Sequence, residues 1–499
     1  MLPTTLDRVA AQAGGTMYGE AEAGAESAAE VSVLGVTSDS RKVTPGDLFV
    51  AIAGERVDGN TLATQALCAG AVAVMSQDPQ AAVAAGAAPA RVIAVADVYQ
   101  ALGRLAHAQL EQLRALPESK LKVVAVTGSV GKTTTKDLLR EVLSARGPII
   151  APPGSFNNEL GMPLTVLRAN ADTATLVLEM GTGNPGDLAY LTDIAEPDVA
   201  IELIVARAHL GFLGGIDAVA AEKQVLVERT REDGAVILNG DDPRVAAMSA
   251  AARGPVTYFS TRGHNLENGR EAGVYATDIS VDSGGHPHFT LHTPEGTAPV
   301  ALALVGEHNV HNALACAGAA HALGIPIAQV AQVLSDSGPG SAHRMAVHEL
   351  GCITLIDDSY NANPDSMRAG ISAAMHIGAG RPVIALLGEM AELGDHSLAE
   401  HRALGKYLGQ SGLQALVAVA SDESDVMEQL AQAAQESGVK RVQLTTSDDA
   451  ERFLQSFLAP GAVVFIKGSH CSGVWQIAES LVAAFGPGEA REEQKGAKE

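Results

Sequence analysis

Nine consecutive residues, Thr127-Gly128-Ser129-Val130-Gly131-Lys132-Thr133-Thr134-Thr135, carry the plainest chemistry in the chain. Glycines let successive backbone N–H groups turn toward an anion, the start of a following helix adds its positive end, and Lys132 supplies a mobile charge. The hydroxyl of Thr133, directly after the lysine, is of the kind that holds magnesium beside a phosphate. A largely apolar run at 121–126 precedes the segment, and the helix-like Lys136-Asp137-Leu138-Leu139-Arg140-Glu141-Val142-Leu143 follows it. This context predicts a phosphate-binding loop between strand and helix, and with it the use of ATP. The usual spacing would place glycine at 126, where the chain has Val126, so the loop is a variant of the common form.

Further candidates stand at the ends of apolar runs. Glu179 follows the strand-like run 176–178, and a second run at 199–205 opens into Ala206-Arg207-Ala208-His209. In a doubly wound sheet, ligands collect beyond the carboxyl ends of the strands, which makes both Glu179 and His209 candidate magnesium ligands. Magnesium prefers carboxylates, waters and phosphates, so Glu179 suits it better than His209, for which simple loop packing is an equal reading. Gly181-Thr182-Gly183-Asn184-Pro185-Gly186 fits the dinucleotide-binding glycine pattern, yet Pro185 removes a backbone N–H from any phosphate cradle there, and a turn is the better reading. Lys223, between Glu222 and Gln224 on the helix-like stretch 217–231, cannot be told by its pattern from a solvated surface lysine. The polar cluster Asp357-Asp358-Ser359-Tyr360-Asn361-Ala362-Asn363-Pro364-Asp365 either caps a helix or binds a ligand.

A chain of 499 residues is long enough for about three domains at roughly 100–200 residues each. It is 46% hydrophobic but only 3% aromatic, with 52 glycines, which favours packed α/β layers over a β sandwich. Strand-like runs at 48–52 and 71–75 fall in a small first α/β domain over 1–95, with an Ala/Pro-rich boundary region around 87–90. A second domain over 96–336 starts with the helix-like 98–116 and the phosphate loop. It repeats strand then helix through 176–178, 199–201 and 236–238, and takes in alternating runs at 288–292 and 300–304 that suggest a small antiparallel insertion. A linker at 335–341 leads to a third, Rossmann-like domain over 337–490, with strands at 353–356, 383–387, 416–419 and 463–466. The expected fold is therefore α/β with three domains: a small N-terminal one, a central doubly wound phosphate-loop ATPase domain and a C-terminal Rossmann-like one.

Lys plus Arg number 34 against 58 Asp plus Glu, and the net charge of −24 argues against a nucleic-acid or anionic-membrane partner. Cys68, Cys316, Cys352 and Cys471 are scattered without pair spacing, which predicts reduced core thiols rather than a disulfide framework or a zinc cluster. The start lacks a basic and then apolar leader, and no apolar run approaches the ~20 residues that span a bilayer, so a cytoplasmic protein without membrane insertion is expected.

Taken together, these segments resemble the muramyl ligase family, ATP-dependent amide-forming enzymes that build the cell-wall peptide, over nearly the whole chain. The loop 127–135 is similar to the family's Thr-Gly-Ser-x-Gly-Lys-Thr form, which accounts for Val126. The resemblance implies that Thr127, Gly128, Ser129, Gly131, Lys132, Thr133 and Thr134 bind ATP, and that Lys132, Glu179, His209 and Lys223 are catalytic. It further implies two magnesium ions, with Thr133 and Glu179 on one and His209 on a second, and a carbamylated Lys223, fourteen residues after His209, that orients water and metal. Gly306-Glu307-His308-Asn309 resembles the helix start that recognises adenine through Asn309. Arg344, Asp358 and Lys467 look like third-domain groups that close on the nucleotide and second substrate.

Four stretches resemble one branch of the family, the ligases that add D-alanyl-D-alanine. Ser38-Asp39-Ser40-Arg41-Lys42-Val43-Thr44-Pro45-Gly46-Asp47 is similar to the segment holding a uridine diphosphate sugar, with Ser40 and Arg41 as contacts. Leu387-Gly388-Glu389-Met390-Ala391-Glu392-Leu393-Gly394 and the segment around Asn361 resemble that branch, and Phe156-Asn157-Asn158 resembles its sugar-nucleotide loop. The implied partners are UDP-N-acetylmuramoyl-tripeptide and D-alanyl-D-alanine, and the expected assembly is a monomer. His470, where the family often has Arg, and Val474-Trp475, in place of a frequent Met-Glu pair, depart from the pattern. A related ligase that extends folate with glutamate would not need a uridine segment. A GTPase switch would want Asn-Lys-x-Asp, which the chain lacks, and a nucleotide-binding scaffold would bind ATP without turnover.

Overall fold

The computed structural model describes residues 1–20, 26–54, 57–207, 210–420 and 425–485. His209 and the charged tail at 491–499 lie outside the described residues. The fold is α/β in three parts, as the sequence predicts. The central sheet has nine strands in the order Gly296–Ala301, Pro287–Thr293, Val274–Val281, Val256–Ser260, Ala235–Asn239, Val199–Glu202, Lys122–Thr127, Thr175–Glu179, Ile149–Ile150. The seven strands from Ile149–Ile150 to Val274–Val281 run parallel and the outer two antiparallel. Successive side chains of a strand point to opposite faces, and the parallel strands here are apolar on both. Val123, Ala125, Leu176 and Leu178 face the helices Val98–Arg114, Gly161–Val166 and Asp187–Ile194. Val124, Val126, Val177 and Ile201 face Lys132–Leu143 and Asn309–Ala322. The order reverses at Lys122–Thr127, whose chain first builds outward to one side and then crosses to the other, so the phosphate loop leaves the sheet at its switch point.

A five-stranded sheet forms the first part, in the order Thr16–Met17, Val92–Ala94, Ala73–Ser76, Asp47–Ala51, Gly35–Thr37. The stretch around 87–90 is a turn feeding the strand Val92–Ala94 of this sheet. One face of the sheet, with Leu48, Val50, Met75 and Ile93, shares a single core with the central sheet, and the helix Val98–Arg114 lies between them. Asp97 caps that helix by accepting from the N–H groups of Tyr99 and Gln100. The third part has six strands in the order Ala346–Leu350, Ile353–Asp357, Val463–Lys467, Val383–Leu387, Ala415–Val419, Arg441–Thr445, with all but the first parallel. Its two faces bury separate cores.

Three local readings change. The run at 199–205 is strand only to Glu202, because the chain then turns: the Leu203 carbonyl accepts from Asn239 Nδ2 and that of Ile204 from the Ser129 N–H. The run at 300–304 ends as a strand at Ala301, and Leu302 and Leu304 pack inward from the following turn. The antiparallel hairpins extend the central sheet itself through the parallel pairing of Phe259 with Val274. Of the cysteines only Cys316 is a core thiol, while Cys68, Cys352 and Cys471 are exposed. Among the described residues no helix is long and apolar enough to cross a membrane.

Candidate active site

The phosphate loop owes its shape to two glycines. Gly128 has φ +149°, and a Cβ there would lie 2.8 Å from Leu203 Cβ. Gly131 has φ +86°, and a Cβ would fall 2.4 Å from Asn312 Oδ1, so both conformation and space exclude a side chain. Helix Lys132–Leu143 starts directly after it and points its free N–H groups back at the loop. Lys132 Nζ curls back to donate to the Gly128 carbonyl at 2.7 Å. Burial holds its ammonium below the usual lysine range, against the pull of Glu179.

Strand register sets the next groups. Glu179 pairs in register with Val126, at the mouth of the loop. Its Oε2 accepts from Thr133 Oγ1 at 2.9 Å and its Oε1 from Asn157 Nδ2 at 2.7 Å. Thr133 Oγ1 also accepts from Arg344 Nη2 at 2.8 Å, across the boundary to the third part. A hydroxyl and a carboxylate side by side are hard oxygen donors of the kind magnesium takes. Among the described residues no cluster of three or more His, Cys, Asp or Glu is arranged to hold a metal.

These groups open into a cavity of about 770 Å³. Ser129, Gly131, Lys132, Thr133 and Thr134 line one side, Asn157, Asn158 and Glu179 another, and Asn309 the far end. The third part contributes Arg344, Asp358, Asn361 and Lys467. Lys467 is buried, and its ammonium donates to Asp358 Oδ2 at 2.6 Å and to the Asn361 carbonyl at 2.8 Å. Arg344 stacks over the Tyr360 ring at 4.2 Å. Asn309 is held from both ends, donating to the Val305 carbonyl and accepting from Asn312 Nδ2. The polar cluster caps a helix, as one reading of its sequence had it, with Asn363 capping Pro364–Ile377 in a capping box with Ser366, while Asp358 and Asn361 line the cavity.

Thr127, Gly128 and Lys223 do not line this space. Thr127 is fully buried beneath the loop, and its Oγ1 accepts from Lys223 Nζ at 3.4 Å. Ser40 and Arg41 are also absent from the lining; Arg41 grips Asp39 through two hydrogen bonds of 2.9 and 3.0 Å. The glycine pattern at 181–186 is folded on itself, with the N–H groups of Gly183 and Asn184 both donating to Asp187 Oδ2, so they are spent on a turn.

Sequence reasoning passed over several groups. Glu202 ends a central strand in register with Thr127, fully buried, and neither carboxylate oxygen has a hydrogen-bond partner. Burial pushes its pKa up to about 8 and brings that of Lys223 down to about 8, the two groups each pulling the other toward charge. The signal was a carboxylate closing an apolar run beside the phosphate strand. Near Asn309, Asp241 accepts from Ser260 and Thr261 and faces His311. Burial raises its pKa, but the bonds from His311, Ser260 and Thr261 outweigh it and bring the value to about 2. The two departures at the chain's end pack on each other, His470 stacking on Trp475 at 5.2 Å.

Three family descriptions match: "Mur ligase family, catalytic domain" over 32–110, "Mur ligase middle domain" over 126–320, and "Mur ligase, glutamate ligase domain" over 343–470. The chain is 39% identical to the UDP-N-acetylmuramoyl-tripeptide--D-alanyl-D-alanine ligase of Mycobacterium bovis, over 97% of this chain and 98% of that one. It is 33% identical to the ligase of the same name from Escherichia coli, over 78% and 82%. Among solved structures it is similar to MurF from Acinetobacter baumannii, with a TM-score of 0.81, 30% identity and coverage of 97% and 98%. MurF ligase from Thermotoga maritima in complex with ADP gives a TM-score of 0.74 at 27% identity, covering 90% of this chain and 96% of that one.

Proposed function

The chain belongs to the Mur ligase family, and from that membership we propose that it joins UDP-N-acetylmuramoyl-tripeptide to D-alanyl-D-alanine at the expense of ATP, giving the pentapeptide precursor, ADP and phosphate. The observation that carries the proposal is one cavity in which the phosphate loop and the Thr133–Glu179 pair meet Arg344, Asp358 and Lys467. In this reading residues 1–95 take the UDP-sugar, 96–336 the ATP and 337–490 the incoming dipeptide. Ser40, Arg41, Asn157 and Asn158 hold the first substrate and Asn361 and Lys467 the second. The chain acts as a monomer in the cytoplasm, where ATP and nucleotide-linked precursors are found.

A carboxylate is a poor acyl donor. Transfer of the γ-phosphoryl group from ATP to the tripeptide's terminal carboxylate makes an acyl phosphate; the dipeptide amine then attacks its carbonyl carbon, and phosphate leaves with the C–O bond electrons. Little covalent work falls to the protein, whose contribution is positioning and charge. The loop N–H groups and Lys132 hold the β and γ phosphates and offset charge on the group in flight. Asn309 fixes the adenine end, and Arg344 and Lys467 add positive charge from the third domain while excluding water. Thr133 and Glu179 would hold magnesium, which would neutralise phosphate charge, and a second ion would fall to His209 and to Lys223 in its carbamylated form.

We also propose that Lys223 is carbamylated, its amine adding to carbon dioxide with loss of one proton. With a pKa of about 8, about a tenth of the lysine is neutral amine at pH 7, the form that reacts. Isotope-labelled bicarbonate should give a carbamate carbon signal that Lys223→Ala abolishes; an unchanged spectrum sinks this part. The reaction itself is tested by phosphate release with each substrate alone and with both, the product being weighed by mass spectrometry. Release that needs both, with a pentapeptide product, is expected. Full activity in Lys132→Ala would overturn the assignment.

A further inference from the structure

Arg207 stands two residues beyond Val205, whose N–H donates to the helix-capping Asp242, and its partners lie in another part of the molecule. Its backbone N–H donates to Asp365 Oδ2 at 3.1 Å, its Nη1 to Glu400 Oε1 at 3.1 Å and its Nη2 to Asp365 Oδ1 at 3.4 Å. The residue before it is tied to the phosphate loop, with the Ala206 N–H donating to Ser129 Oγ and that hydroxyl donating back to the Ala206 carbonyl. Asp365 in turn lies in the first turn of the helix Pro364–Ile377, directly after the segment carrying Asp358 and Asn361. Phosphate loop and third-domain binding segment are thus joined through one guanidinium.

A second contact lies four residues further on. The Gly211 N–H donates to the Glu392 carbonyl at 3.2 Å. A Cβ on Gly211 would be 2.8 Å from Gly394 N, and one on Gly394, at φ +53°, would be 2.6 Å from Gly211 Cα. Backbone meets backbone there, which only glycine at both positions permits. Both contacts tie the central domain to the third.

We propose that Arg207 is a positioning residue that couples docking of the third domain to the placement of the phosphate loop behind it. The proposal rests on the ligase reading for its effect on turnover, but not for the docking itself. Arg207 forks between two carboxylates, a task for which lysine is only a partial substitute. Its role is distinct from that of the groups that touch ATP, so removing it should spare nucleotide binding and lower kcat.

Hydrogen exchange on the full chain tests the docking without any substrate. Arg207→Ala should speed exchange in peptides covering 210–214 and 389–396 about tenfold while peptides from Lys122–Thr127 stay as in the parent. Arg207→Lys should restore part of the protection, and Glu400→Gln combined with Arg207→Ala should add less than the two separate effects, as expected of groups in contact. Unchanged exchange in Arg207→Ala, or fully additive variants, overturns the proposal. In turnover assays Arg207→Ala should lower kcat about tenfold with the KM for ATP within twofold of the parent; altered exchange with unaltered kcat would leave a structural contact and equally overturn a positioning role. A parent that fails to turn over the named substrates would count against the ligase reading alone, since the exchange result stands by itself.

Discussion

The central domain meets its two neighbours in opposite ways. Toward the first domain it shares an unbroken apolar core, with Leu102, Leu105 and Leu110 of one helix buried between two sheets. Toward the third, Val305 packs into that domain's core, Gly285 lies against Ile377 and Gly211 meets Gly394, but the side-chain hydrogen bonds among the described residues make this junction largely polar: Ser341 Oγ on Asp137 Oδ2 at 2.6 Å, Arg344 on Thr133, Arg207 on Asp365 and Glu400, and the hydroxyls of Ser155 and Tyr360 on each other. Apolar burial is lost in full when surfaces part, whereas polar groups can exchange partners with water at small net cost. The first junction is therefore expected to part less readily than the second. The cavity-lining groups divide along the same line: Lys132, Thr133 and Glu179 come from the central domain, while Arg344, Asp358 and Lys467 come from the third.

The largest expected effect tests the rigid side. Lys132→Ala should lower turnover about a thousandfold or more, as removal of a preorganised charge does, with little change in melting temperature; a loss under tenfold would mean that the loop does not hold the reacting phosphate. Next, Leu105→Ala should cost about 2–5 kcal/mol by opening a cavity in the shared core. Denaturant unfolding followed by probes in the first and central domains should then show a single shifted transition for both. Two separate transitions would break the contrast between the junctions.

A pH experiment probes the buried floor of the site. The pKa of Glu202 rises from an ordinary 4.5 to about 8 in the fold. Its contribution to stability is thus complete below the unfolded value and is lost as pH climbs through the folded one, by up to about 1.4 kcal/mol per pH unit. Lys223, lowered from 10.5 to about 8, behaves oppositely and loses its contribution as pH falls from 10.5 toward 8, so the window from 5 to 8 belongs mainly to Glu202. Across that window Glu202→Gln should gain melting temperature relative to the parent; a constant offset would show that the carboxyl keeps an ordinary pKa. The smallest effect is at the polar junction. Ser341→Ala should cost about 0.5–1.5 kcal/mol or less and leave kcat near the parent value. A loss as large as that of Leu105→Ala would mean that the polar junction is as rigid as the apolar one.

How much of this could be read in advance depends on the span of chain a feature needs. The phosphate loop was legible because its determinants, two glycines, a lysine and a threonine, lie within a few residues of one another. The parallel strands were legible because apolar residues on both faces leave a continuous run. The strand ends at Glu202 and Ala301 were not, because Leu203 and Leu302 are as apolar as the strands they follow, and only hydrogen bonds to distant residues show where pairing stops. Lys223 read as an ordinary surface lysine, since nothing in its own helix reveals that Thr127, 96 residues away, lies over its amine.

The sequence by itself determined that this chain is an α/β protein in three parts with an ATP-type phosphate loop, and through its motifs it pointed to a ligase of the cell-wall peptide. Only in the folded chain does Arg207 reach partners 158 and 193 residues ahead, does Glu202 lie buried beside Lys223 with no hydrogen bond to either oxygen, and is one domain junction apolar and the other largely polar. The physical reason is common to all three. Local conformation follows from side chains a few residues apart, whereas burial and ion pairing depend on which distant surfaces the folded chain brings together, and no short stretch of sequence contains that information.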